Sequence, residues 1–205
     1  MTIVMYNIEV KRTHFGGRMK VSREQVAANR QSILEASGRL FRERGFDAVT
    51  VVEVMKAAGL THGGFYGYFE SKDDLIAQTL AHVLAQDDER PTNPIEYARA
   101  YLAPVHRDDV AGGCPTAALG AETIRQSRQA RAAMTEGQRR TFERFSEGLP
   151  DATPEEARRA AIGSWAAMVG AMVLARLADD PKLSDEVLDQ TYAWIRDKNT
   201  HTLSN

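Results

Sequence analysis

The chain has a single cysteine, Cys114, among 205 residues. One cysteine excludes an internal disulfide and a paired-cysteine metal site, and it fits a reducing compartment. No stretch alternates apolar and polar residues as a half-buried strand would, so the expected fold class is all-α. Long apolar runs are missing too. The strongest, Ala160 to Ala175, is uncharged but only 16 residues long and rich in Ala and Gly. A membrane span needs about 20 apolar residues, so a buried packing helix, and no membrane, is expected. Met1–Val10 contains Glu9 and no apolar run sufficient for a secretory signal. Together these absences predict a cytoplasmic protein.

Catalytic machinery is equally sparse. There is no Gly-rich phosphate loop, no His-Glu-x-x-His and no third group to orient a Cys-His pair. His14, His62, His82, His106 and His201 are scattered without ligand spacing. The expectation is no enzyme, no metal and no cofactor. A cysteine-dependent enzyme built on Cys114 and His106 is the reading from another class.

Charge is present but unevenly spread. The net charge is −2, yet residues 1–72 carry 11 Lys and Arg against 7 Asp and Glu, whereas residues 73–205 carry 15 against 21. A basic front and an acidic back suit a DNA module joined to a partner-binding module.

The richest stretch is Thr50 to Lys72. Thr50 caps a helix, with Glu53 three residues on as a capping box requires. Val51, Val54, Met55 and Ala58 follow at helical spacing, and Gly59 ends the helix. Leu60 is the apolar residue of the turn, and Thr61 is the cap candidate for a second short helix. Phe65 and Phe69, four apart, anchor that helix and turn His62, Gly63, Gly64, Tyr66 and Tyr68 outward. This is how a helix-turn-helix reads. Each glycine costs a helix about 1 kcal/mol relative to alanine. Three of them, Gly63, Gly64 and Gly67, suggest close approach to a DNA backbone or base edge.

From Val21 to about Leu84 the chain resembles the tetracycline-repressor (TetR) family of bacterial transcriptional regulators. The motifs are Ile33-Leu34-Glu35-Ala36, Leu40-Phe41-Arg42-Glu43-Arg44-Gly45-Phe46, Ala57-Ala58-Gly59-Leu60, Phe65-Tyr66-Gly67-Tyr68-Phe69 and Ser71-Lys72-Asp73-Asp74-Leu75. The resemblance implies an N-terminal three-helix helix-turn-helix domain and a C-terminal helical ligand-binding and dimerisation domain. It implies that Thr61, His62, Gly63 and Gly64 face base edges or nearby backbone, and that Thr50, Tyr66, Tyr68 and Lys72 hold phosphate. Gly67 stands where the family often has a bulkier residue. The implied partner is double-stranded DNA with a palindromic operator. The implied function is a sequence-specific regulator, foremost a repressor, with an activator or a non-specific DNA-binding protein as alternatives.

Residues 1–18 fit no helical period and read either as a flexible arm, with Lys11, Arg12, Arg18 and Lys20 near phosphate, or as an overlong start. Residues 19–70 are assigned to the DNA-binding domain and 71–205 to the helical sensing domain. A first helix is expected from Ser22 to Arg44 and a linking one from Ser71 to about Asp88. Asn93-Pro94 opens a further helix. Val105 to Gly113 reads as a loop, Pro115 to about Gln126 as a helix, and Gln129 to Gly148 as another. Thr153-Pro154 opens a helix to about Ala178, and Ser184 the last, to near Lys198.

In the second domain Cys114 falls at a helix start behind Gly112-Gly113 and ahead of Pro115. Unpaired amides and the helix dipole there favour a thiolate. Cys114 is then either a sensor of an electrophile or oxidant, aided by His106 or Arg107, or a small buried hydrophobe. The other signal is an unknown small-molecule inducer in an apolar cavity. Tyr97, Tyr101, Phe142, Phe145, Trp165, Met168 and Met172 are its candidate lining. Gly163, Ala167, Gly170, Ala171 and Ala175 form a small-residue surface, and with Trp194 nearby the resemblance makes it a homodimer interface of four helices.

Overall fold

The computed structural model describes residues 22–86 and 91–202, and no strand occurs among them. The expected arm at residues 1–18 and the end of the linking helix at Asp88 lie outside the described residues. Among the described residues nine helices follow in order: α1 (Arg23–Arg44), α2 (Val51–Ala57), α3 (Lys72–Ala85), α4 (Pro94–Tyr101), α5 (Pro104–Asp108), α6 (Pro115–Thr123), α7 (Arg128–Glu147), α8 (Pro154–Leu177) and α9 (Pro181–Thr202). A 3-10 turn, His62–Gly67, lies between α2 and α3.

Local chemistry sets most starts. Ser22, Ser71 and Ser127 each accept a hydrogen bond from an amide of the first turn, and Asn93 accepts two ahead of Pro94. Thr50 with Glu53, and Thr153 with Glu156, form complete capping boxes.

Three expectations are corrected. The stretch expected as a loop from Val105 contains α5, because Pro104 pre-sets a helix start and the Arg107 amide reaches back to the Ala103 carbonyl. The last helix begins one turn before Ser184. Asp180 accepts from the Lys182 and Ser184 amides, and the Ser184 hydroxyl donates to the Ala175 carbonyl from inside the helix. Thr61 makes no side-chain cap, and the segment it opens is a 3-10 turn in place of an α-helix.

Two buried clusters organise the chain. The first packs α1, α2, the 3-10 turn and α3 around Phe41, Phe46, Met55, Phe65 and Leu75, with Leu119, Ala130 and Met134 from α6 and α7 added. The second packs α4, α8 and α9 around Tyr97, Tyr101, Trp165, Met168, Met172 and Ile195. Between them α3 lies against both α1 and α7. A Cβ at Gly137 would stand 2.9 Å from the Leu84 side chain, so glycine sets how closely α7 approaches α3. By length and composition α8 could cross a membrane; here Ala161, Trp165, Met168 and Met172 seat one of its faces in the second cluster.

Candidate DNA interface and effector cavity

The outward face of the 3-10 turn is built from its inward one. Phe65 and Phe69 are 1% and 2% exposed, and their rings stack at 5.8 Å between centroids. Anchoring these two leaves Thr61, His62, Gly63 and Tyr66 exposed, with Gly64 and Tyr68 half-buried. Gly59, at φ +72°, supplies the left-handed residue that reverses the chain after α2. A Cβ at Gly63 or Gly67 would meet nothing within 4 Å, so internal packing does not demand either glycine. Their bareness is available to something outside the chain. Tyr66 is 75% exposed, and Lys72 is half-buried at the first position of α3.

Two residues expected to hold phosphate are engaged internally. The Thr50 hydroxyl donates to Glu53 Oε2 at 2.8 Å and accepts from the Glu53 amide, so it serves the α2 cap. Tyr68 accepts from Asn29 Nδ2 at 2.9 Å. Asn29 is a residue the sequence reading missed, because the pair is 39 residues apart.

A cavity of about 60 Å³ is lined from six helices: Arg42 of α1, Leu84 of α3, Tyr97 of α4, Thr116 of α6, Thr141 of α7 and Trp165 of α8, closed by Gly112, Gly113 and Cys114. Cys114 is 5% exposed at the N-cap of α6. Its amide donates to His106 Nε2 at 3.1 Å, and His106 Nδ1 lies 2.6 Å from the Tyr101 carbonyl. Those bonds select the neutral ring with its proton on Nδ1. His106 therefore supports the Cys114 backbone. The Tyr101 hydroxyl is buried beside the Cys114 thiol. Burial first, then the nearby thiol, pushes this phenol well above its ordinary value, so it keeps its proton.

Arg42 joins the cavity to the first cluster. Its Nε donates to the Ala111 carbonyl at 2.6 Å, and burial lowers the guanidinium from its ordinary value. A second tie runs from the Phe46 amide to Glu122 Oε2 at 2.8 Å, next to Gly45, which at φ +81° has no Cβ to collide with that carboxylate. Thus α6 and its leading loop are fastened to the end of α1 at two points.

Of the expected pocket residues, the cavity gathers Cys114, Tyr97 and Trp165. The rest are elsewhere. Phe142 lies under the Arg158 guanidinium, 5.1 Å from it, and Met168, fully buried, fills the second cluster. Arg107 turns away to Asp108, Asp185 and Ser184. On α8, Gly163, Ala167 and Gly170 are half-buried, with open space beyond both glycines, and Trp194 is 48% exposed. Ala171 is corrected: it is 4% exposed, because it follows Met168 by three residues and shares the inward face. Among the described residues no three His, Cys, Asp or Glu side chains converge as a metal site would require.

Residues 33–79 match the family model of bacterial regulatory proteins, tetR family. The chain is 35% identical over 57 residues to the transcriptional regulator AcrR of Shigella flexneri, and 31% identical over 71 residues to the transcriptional repressor BepR of Brucella suis. These matches cover 28% and 35% of this chain, and only 26% and 34% of those proteins. The crystal structure of E. coli NemR in its reduced form superposes with a TM-score of 0.70 at 24% identity, covering 82% of this chain and 96% of that one. The likeness of fold therefore runs well beyond the matched N-terminal segment.

Proposed function

We propose, from the membership of this chain in the tetR family of bacterial regulators, that it is a cytoplasmic, homodimeric, sequence-specific DNA-binding protein that represses transcription and is released by a small effector. The carrying observation is the braced 3-10 turn. Its inner aromatics are locked, while His62, Gly63 and Tyr66 stand bare on the outside and Gly64 is half-buried beside them. Lys72 supplies charge at the adjacent helix start. In this reading His62 and its neighbours read base edges, and Lys72 and Tyr66 position the backbone.

The effector acts at the cavity around Cys114. About 60 Å³ is far below the roughly 300–1,000 Å³ of a drug-sized ligand site. The effector is thus either a molecule that opens the cavity or a small reactive one that modifies Cys114. Either would strain the Arg42–Ala111 and Phe46–Glu122 ties and shift α1 and the turn packed on it.

Selection of genomic fragments by the purified protein at physiological salt tests the DNA reading. A palindrome is expected, with altered preference for His62→Ala and uniformly weaker binding for Lys72→Ala. No enrichment by folded protein would overturn sequence-specific recognition. Equal loss for both variants at unchanged preference would overturn the assigned roles.

A further inference from the structure

A directed chain of side-chain amides runs from α1 to the 3-10 turn. Gln25 Nε2 donates to Asn29 Oδ1 at 2.9 Å, and Asn29 Nδ2 donates to the Tyr68 hydroxyl oxygen at 2.9 Å. The first bond orients the second. With the Asn29 oxygen taken by Gln25, the amide presents its NH2 end to Tyr68, which must accept. A phenol both accepts and donates, so the Tyr68 proton is not consumed by this bond. The next residues are paired the same way: the Arg30 guanidinium lies 5.5 Å from the Phe69 ring centroid and donates to Gln78. Two successive residues of α1 thus hold two successive residues at the end of the turn. Tyr68 itself stays half-exposed.

We infer that Asn29 is a positioning residue for DNA binding: by donating to the Tyr68 oxygen it leaves the Tyr68 O–H to donate to a DNA phosphate. This rests on the DNA-binding reading above. Such a contact is neutral on the protein side and displaces no counterion. It strengthens binding to any sequence and leaves the salt dependence unchanged, whereas a Lys72 contact steepens it.

The test is fluorescence anisotropy with a labelled mixed-sequence duplex, over a series of salt concentrations, using the full-length protein. Tyr68→Phe should weaken binding about tenfold, the order expected for a hydrogen bond to a charged acceptor, with an unchanged salt slope. Asn29→Ala should weaken it comparably in the wild-type background and not at all in the Tyr68→Phe protein, so that the double-mutant cycle shows coupling. Asn29→Asp reverses the polarity, since its carboxylate captures the phenol proton. It should be worse than Asn29→Ala, and by more than the charge effect measured in the Tyr68→Phe protein. Strict additivity of Asn29→Ala and Tyr68→Phe, or wild-type binding by Tyr68→Phe, overturns the inference. Tyr68→Phe keeps its ring packed near Gly64; if Asn29→Ala melts below the assay temperature, Asn29→Asp compared in the wild-type and Tyr68→Phe backgrounds supplies the coupling, and equal effects in both backgrounds overturn the inference. Absence of binding by the wild-type protein itself would instead remove the DNA-binding reading.

Discussion

Cys114 is a buried residue whose backbone is fixed on both sides. Its amide donates to His106 and its carbonyl accepts from the Ala118 amide, while its side chain lines a cavity with no room for bulk. Overfilling a packed site of this kind typically costs about 1–3 kcal/mol. Here the cost would fall on the loop that the Arg42 guanidinium holds at Ala111. Alkylation of the wild-type protein with iodoacetamide should therefore weaken DNA binding by about tenfold, since about 1.4 kcal/mol is a tenfold change in affinity. Cys114→Ser, similar in size, should bind as wild type and ignore the reagent. Mass spectrometry beside the binding assay separates the outcomes. Wild-type protein alkylated at Cys114 that still holds DNA would leave the residue a small core hydrophobe. Release of Cys114→Ser by the same reagent would move the chemistry to another side chain.

At the scale of the element, the start of α2 is the sharpest case. Glu53 accepts from the Thr50 amide and hydroxyl and pairs with Arg44 at 2.8 Å. The Thr50 backbone bond first, then the Thr50 hydroxyl and Arg44, hold its carboxyl down from 4.5 to about 2. A depressed carboxylate stabilises the fold fully above its unfolded value, and that contribution is lost as pH falls through the folded one. Melting followed by circular dichroism from pH 6 to pH 2 should thus show a smaller decline for Glu53→Gln than for wild type. Equal declines would show that the cap's charge is immaterial. The same element explains what was legible beforehand. The caps at Thr50, Ser71, Asn93 and Thr153 are local chemistry within three residues, and these four are found in place. The apolar period likewise placed Phe65 and Phe69 inward. Helix α5 escaped because five residues show no period. The ties Asn29–Tyr68, Arg42–Ala111 and Phe46–Glu122 join residues 39, 69 and 76 positions apart, and no local pattern announces them.

For the whole molecule the unresolved demand is the outer face of α8. At about 100° per residue, Gly163, Ala167, Gly170, Leu174 and Leu177 line one side, opposite the inward stripe of Ala161, Trp165, Met168 and Met172. The two leucines are 58% and 74% exposed, and Trp194 of α9 is 48% exposed. Small residues let helices approach closely, and the exposed leucines then supply apolar area, so the proposed occupant is the same face of a second copy. A two-fold pair would also present two recognition turns to DNA, as half-sites about 34–36 Å apart require. Gly170→Glu places a carboxylate into open space on one protomer and, in a dimer, two like charges across the symmetry axis. Its own fold should therefore survive with an unchanged helical spectrum, while light scattering shows the mass fall from two chains to one. Affinity for a palindromic duplex should drop at least about a hundredfold as the linked second half-site is lost. A Gly170→Glu protein that remains dimeric would place the subunit contact on another surface. A monomer that still binds the palindrome as tightly as wild type would show that a single recognition turn suffices.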